Sequence, residues 1–118
     1  MSVFSSWEEL ENAIKNCMRC ELHKFRKNAV PGEGNRESRI IFIGEAPGSA
    51  EDEAGRPFVG AAGKLLTMTM ESFGISRESV YITNVVKCRP PGNREPRDDE
   101  ISLCSIYLEN QLKLLKPS

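Results

Sequence analysis

Ile40-Ile41-Phe42-Ile43-Gly44-Glu45-Ala46-Pro47-Gly48 is the stretch that decides the fold. A short β-branched and aromatic run, apolar on both faces, is the pattern of a central parallel strand covered above and below. It breaks off into an acidic turn, and open α/β sheets place their ligands at such carboxyl ends of strands. Glycines on both sides of Pro47 tighten the loop and let a substrate approach the backbone closely.

On the carboxyl side, Gly44 to Pro57 reads as loop. A helix follows from Gly60, with Ala62, Leu65, Leu66, Met70 and Phe73 on one face and Gly74 as its stop. Val80 to Val86 is a second strand, so the strand–helix–strand order predicts a right-handed parallel crossover. Lys87 to Pro96 is a proline-rich loop, and Asp98 to Lys116 a helix turning Ile101, Cys104, Leu108, Leu112 and Leu115 inward. On the amino side, residues 21–38 are polar and read as a long loop marked by Pro31-Gly32 and Gly34-Asn35. Before it, Ser6 and Glu9 form a capping box ahead of Trp7, Leu10, Ile14 and Cys17 at helical spacing. The expected class is α/β, a three-layer α/β/α arrangement around a central parallel sheet. Two strands are too few for such a sheet, because central strands need neighbours on their open edges. Residues 1–118 are therefore expected to be one domain whose C-terminal strands are missing.

A chain of 118 residues accommodates at most one domain, and its net charge of -1 creates no global field for nucleic acid. Local contrast is sharper. Lys24, Arg26, Lys27, Arg36 and Arg39 crowd one segment, Lys87, Arg89, Arg94 and Arg97 another, and Glu51, Asp52 and Glu53 lie between. Each basic group reads as solvated surface. No apolar stretch reaches the length of a signal peptide or a membrane span, so a cytoplasmic location is expected, where thiols stay reduced.

In that compartment Cys17-x2-Cys20, Cys88 and Cys104 read as one site of four thiolates tying the two ends of the chain together. Zinc and an iron–sulfur cluster both accept four thiolates, and spacing does not choose between them. The competing reading makes Cys88 and Cys104 small core residues. His23, a substitute ligand in principle, reads as surface. Gly60-Ala61-Ala62-Gly63-Lys64 resembles a phosphate-binding loop only in part: Phe58 stands where that pattern needs glycine and Leu65 where it needs Ser or Thr. Asn84, at the end of the second strand, offers a donor and an acceptor together, which suits an amide-like edge such as that of a pyrimidine. Its plainer reading is a strand-end turn residue.

Three stretches together resemble the family 4 uracil-DNA glycosylases, the iron–sulfur branch of that superfamily. They are Gly44-Glu45-Ala46-Pro47-Gly48, Gly55-Arg56-Pro57-Phe58-Val59-Gly60-Ala61-Ala62-Gly63, and Tyr81-Ile82-Thr83-Asn84-Val85-Val86-Lys87-Cys88-Arg89-Pro90-Pro91. The resemblance implies a DNA repair hydrolase of base excision repair, cutting the N-glycosidic bond of uracil in DNA after the nucleotide is flipped out. It implies a [4Fe-4S] cluster on Cys17, Cys20, Cys88 and Cys104. Phe58 would stack on uracil and Asn84 would hydrogen-bond its polar edge, with Gly44 and Ala46 at the base. Glu45 would line the pocket, and Glu51 would orient the attacking water or crowd the place of a thymine methyl. Ala46 stands where other branches carry an aspartate base.

Family members continue through two more strands and a His-Pro-Ser loop whose histidine supports the departing uracil. Residues 1–118 alone are therefore expected to be nearly inactive and prone to aggregate or dimerise through an open sheet edge. The alternative function is a non-catalytic iron–sulfur or zinc module that binds nucleic acid or a protein partner.

Overall fold

The computed structural model describes residues 4–115. Helix α1 (Trp7–Lys15) starts where the Ser6 hydroxyl accepts the Glu9 N–H at 3.1 Å, and it buries Leu10 and Ile14. The segment read as one long loop carries two elements instead. A 3-10 turn over Glu21–Lys24 buries Leu22, and a two-residue strand, β1 (Glu33–Gly34), follows.

Strand β2 (Ile41–Gly44) lies parallel to β3 (Tyr81–Asn84), with Ile41 opposite Tyr81 and Gly44 opposite Asn84. β1 pairs with β3 antiparallel on its other side, giving the order β1-β3-β2. The sheet of the described residues is therefore small and mixed, which corrects the all-parallel expectation. Gly34 allows the extra strand: its φ is +121°, and a Cβ there would run into the Val80 carbonyl oxygen. β2, read as central because it is apolar on both faces, is an edge here. Ile40, just before it, and Ile43 on it are 49% and 46% exposed.

The loop expected before the middle helix contains a short helix, α2 (Ser49–Ala54). Helix α3 (Ala61–Ser72) ends as expected at Gly74, whose N–H reaches the Glu71 carbonyl at 3.0 Å while the Ile75 N–H reaches Met70 at 2.9 Å. Its rotation differs from the expected one. Gly63 and Met70 are buried, Leu66 is half-buried, and Leu65 and Phe73 face outward. The cause is Gly63, where a Cβ would overlap the backbone of Phe58, so the bare Cα draws the 63/66/70 stripe inward. Helix α4 covers Asp98–Leu115, and the expected terminal Lys116 lies outside the described residues. Its buried stripe runs Glu100, Cys104, Tyr107, Gln111 and Leu115, leaving Ile101, Leu108 and Leu112 half-buried at the margin.

Side chains alternate along β3 and so serve two layers. Val80 and Ile82 join Met70 under α3, together with Phe42, Leu66 and Ile75. Tyr81 and Thr83 point the other way, to Gln111 of α4, and the Tyr81 ring lies 5.2 Å from that of Trp7 on α1. Helices cover both faces, and the α/β class holds. The larger core joins α1 to α4 through Leu10, Ile14, Leu22, Val86 and Tyr107, with Cys88 and Cys104 inside it. Among the described residues no helix is long and apolar enough to cross a membrane.

Helix α4 begins on a buried clasp. The Glu100 carboxylate accepts both terminal nitrogens of Arg94 at 2.8 Å and the Arg97 N–H at 2.8 Å. The Arg94 guanidinium holds this carboxyl down to about 2, against the burial that pushes it up. A carboxyl depressed on folding contributes stability that is complete above its unfolded value of 4.5 and is lost as pH falls to about 2. Glu100→Gln should therefore lower the unfolding free energy at pH 7 by roughly 2–3 kcal/mol. In chemical denaturation the gap between parent and variant should close as the pH is taken down through that window. Equal stability at pH 7 would show that the clasp contributes nothing.

Candidate functional site

The carboxyl ends of β2 and β3 open into a cavity of about 270 Å³, lined by Ala46, Glu51, Phe58, Asn84 and the first turn of α3 from Gly60 to Gly63. Asn84 ends β3 and is only 3% exposed, yet it borders this space. Gly44 sits opposite it in the parallel register, and a Cβ there would strike both Asn84 Oδ1 and the Phe58 ring. An aromatic ring and a carboxamide thus converge over one bare Cα. That pairing offers stacking and a donor–acceptor edge to a flat polar ring.

Phe58 reaches this position from a left-handed backbone, φ +53°, which is rare for a bulky residue and costs roughly 1–3 kcal/mol. Its neighbours over-determine it. Arg77 Nη1 donates to the Phe58 carbonyl at 2.9 Å and to Thr67 Oγ1 at 3.1 Å, while Nη2 donates to the Pro57 carbonyl. The same guanidinium is anchored on Glu33 Oε2 by Nε at 3.2 Å and Nη2 at 3.1 Å. From the other side, Glu51 Oε2 accepts the N–H groups of Val59 and Gly60 at 2.9 and 2.7 Å, and Oε1 that of Gly48 at 3.0 Å. Burial works against the Glu51 ion, but these amide donors prevail and hold its carboxyl below the usual range. One carboxylate so ties the turn after β2 to the start of α3.

The structure brings Ala46, Glu51, Phe58 and Asn84 around one cavity, with Gly44 beneath. Glu45 is not among its lining: it is exposed and borders a neighbouring groove of about 150 Å³ with Pro47, Gly48, Pro90, Asn93 and Arg94. Arg77 was invisible in the sequence, since nothing local marks a residue 19 positions from the carbonyl it holds.

Lys87 corrects the reading of its basic segment as solvated surface. It is 1% exposed, and its ammonium donates to Thr83 Oγ1 and Gln111 Oε1, both at 2.7 Å, and to the Asn84 carbonyl. Burial pushes it down to about 7, opposed by the Cys104 sulfur. Gln111 in turn donates to the Pro31 carbonyl at 2.7 Å, and Thr83 to the same oxygen at 2.8 Å. The end of β3 is thus held from behind by a closed buried network.

All four cysteines border one small hollow, with Ile14, Arg26, Val86 and Tyr107. His23 borders it too, half-buried, with Nδ1 at 2.7 Å from the Cys20 carbonyl, so it is not simple surface. Three N–H groups approach the sulfurs: Arg26 Nη1 to Cys88 at 3.1 Å, and the backbones of Arg19 and Lys87 to Cys17 and Cys104 at 3.4 Å. Burial pushes the Cys20 and Cys88 thiols up, and that of Cys104 to about 11. Among the described residues no three His, Cys, Asp or Glu side chains converge as a single metal ion requires. The donor set, four thiols around one hollow with N–H donors to sulfur, suits a thiolate-bound metal group.

Comparison with known proteins agrees with these features. Residues 31–118 match the family model for the uracil DNA glycosylase superfamily. A type-4 uracil-DNA glycosylase of Pyrobaculum aerophilum is 57% identical over 110 residues, covering 93% of this chain and 56% of that protein. Its counterpart in Saccharolobus solfataricus is 58% identical, covering 92% and 50%, and that of Thermotoga maritima 51% identical, covering 93% and 57%. The chain spans about half the length of these curated relatives. With a family match over most of its length, the chain belongs to the uracil DNA glycosylase superfamily.

Proposed function

We propose that this chain carries the base-recognition half of a DNA repair glycosylase that hydrolyses the N-glycosidic bond of uracil in DNA. The observation that carries the reading is the convergence of the Phe58 ring and the Asn84 amide over Gly44, at the wall of a cavity of about 270 Å³. A flipped uracil stacks on Phe58, and the Asn84 carboxamide accepts from its N3–H and donates to the adjacent carbonyl oxygen. Water adds to C1′ of the deoxyribose, the C1′–N1 bond breaks, the bonding pair leaves with uracil as its anion, and the surplus proton of the water passes to solvent. The Asn84 N–H then faces growing negative charge, which is where a fixed donor lowers the barrier.

Glu51 is ionised, with its carboxylate fixed on the cavity wall by the N–H groups of Gly48, Val59 and Gly60. Ala46 supplies no base, which leaves Glu51 as the carboxylate on the cavity wall that orients the nucleophile and offsets positive charge on the sugar. Glu45 lies in the neighbouring groove with Arg94, beside the cavity that takes the base. Arg56 and Lys64 border a further groove beyond Phe58 and suit the DNA backbone, in a cytoplasmic protein whose thiols stay reduced.

Cys17, Cys20, Cys88 and Cys104 hold a [4Fe-4S] cluster in this reading. Through these four residues it would supply a covalent clasp between the turn after α1, the loop after β3 and α4. The likeness to type-4 relatives, the iron–sulfur branch, supports a cluster over zinc.

Uracil release from single-stranded DNA, measured beside a full-length type-4 relative, tests the activity directly. In the domain completed with the two further strands and the histidine loop, Asn84→Ala should lower excision on the order of a hundredfold while changing DNA binding far less, and equal rates would remove Asn84 from the site. Phe58→Ala should chiefly weaken binding of the flipped base, with a cost of roughly 1–3 kcal/mol.

Protein purified without oxygen should be brown with broad absorption at the blue edge of the visible range. Cys88→Ala should lose the metal and loosen both ends of the chain, since metal binding and folding are coupled. Colourless protein with stoichiometric zinc would contradict the cluster.

A further inference from the structure

We propose that Arg77 is a positioning residue that presents the Phe58 ring to the base by holding the carbonyls of Pro57 and Phe58. The inference rests on the reading of Phe58 as the stacking platform, and its central readout is independent of that reading.

Phe58 needs an external hold because its left-handed backbone is disfavoured for a side chain of that size. Arg77 is suited to the task in three respects. Its planar fork reaches two successive carbonyls at once, which a lysine ammonium on a flexible stem does not reproduce. It is largely buried, with its side chain 12% exposed, so these bonds are shielded from water. It is also fixed from behind, by the Glu33 carboxylate and the Thr67 hydroxyl. Glu33 takes a second guanidinium, Arg56, through two contacts of 2.8 Å, so the residues on either side of Pro57 are tied to one acidic anchor on β1.

The division of labour with Glu51 is complementary. Glu51 takes the N–H groups of Val59 and Gly60, and Arg77 takes the carbonyls just before them. Both polarities of the peptide backbone are used within one tight turn, and neither side chain can replace the other. Arg77 itself does not border the cavity, so its effect on the base must pass through Phe58.

The test compares the parent chain with R77K, R77Q and E33Q by NMR, following the backbone carbon shifts of Phe58 and amide exchange at Val59 and Gly60. In R77K and R77Q the Phe58 shifts should leave left-handed values, and exchange at the two amides should quicken at least tenfold while α1 and α4 keep parent protection. E33Q, which keeps the fork but removes the charge anchoring it, should move the same signals less and decides the matter if the arginine variants do not fold. Binding of a uracil-containing single strand should weaken about 5- to 150-fold in R77K, the equivalent of losing one stacked aromatic, and R77K should add under twofold to F58A. Unmoved Phe58 signals in the folded variants, or fully additive losses in the double variant, would overturn the proposal. Shifted Phe58 signals in a chain whose parent binds no uracil-containing DNA would uphold Arg77 and sink the proposed function instead.

Discussion

Everything at the cavity depends on one backbone turn held between opposite charges. The segment from Pro57 to Gly60 presents its carbonyls to Arg77 and its N–H groups to Glu51, and Phe58 sits between in a conformation it would not keep alone. Gly63 completes the arrangement by having no side chain where α3 meets the Phe58 backbone. Remove any of these and the ring has no reason to stay over Gly44. The charges at this turn therefore act first as scaffolding, and Glu51 alone combines that work with a place on the cavity wall.

A second constraint ties the cavity to the cysteine site. Asn84 ends β3, and within four residues the chain passes through buried Val86 and Lys87 to Cys88. Lys87 faces both ways: its ammonium holds the Asn84 carbonyl, and its backbone N–H approaches Cys104 Sγ at 3.4 Å. Its carbonyl accepts the Val30 N–H at 2.7 Å, drawing in the chain that leads to β1. A metal group that fixes Cys88 and Cys104 thereby also fixes the strand end that aims Asn84. On the proposed function, this gives a structural reason for a cluster where the bond cleavage needs no electron transfer.

Local chemistry was legible in the sequence, and distant pairing was not. The apolar run into Gly44 announced β2, and the cysteine spacing announced a common site, because each signal is carried by adjacent or chemically narrow residue types. α4 and the Gly74 stop were equally plain from periodicity and from the special backbone freedom of glycine. β1 escaped because two residues carry no pattern. α2 escaped because six residues held by one carboxylate look like an acidic loop. The rotation of α3 was misread because apolar content, rather than the bare Cα of Gly63, was taken to mark the inner face. Lys87 was misjudged for a related reason: a buried ammonium needs acceptors, and Gln111 lies 24 positions away. Likeness to a family supplied the proposed roles of Phe58 and Asn84; their convergence over Gly44 came only with the fold.

The central claim is that Phe58 and Asn84 together form the seat of a uracil ring. The most direct measurement is a crystal structure of the protein soaked with uracil. The account predicts the ring stacked on Phe58 above Gly44, with its N3–H and a carbonyl oxygen paired to the Asn84 carboxamide. Uracil bound in another groove, or a cavity that stays empty at saturating uracil while Phe58 and Asn84 keep their places, would contradict it.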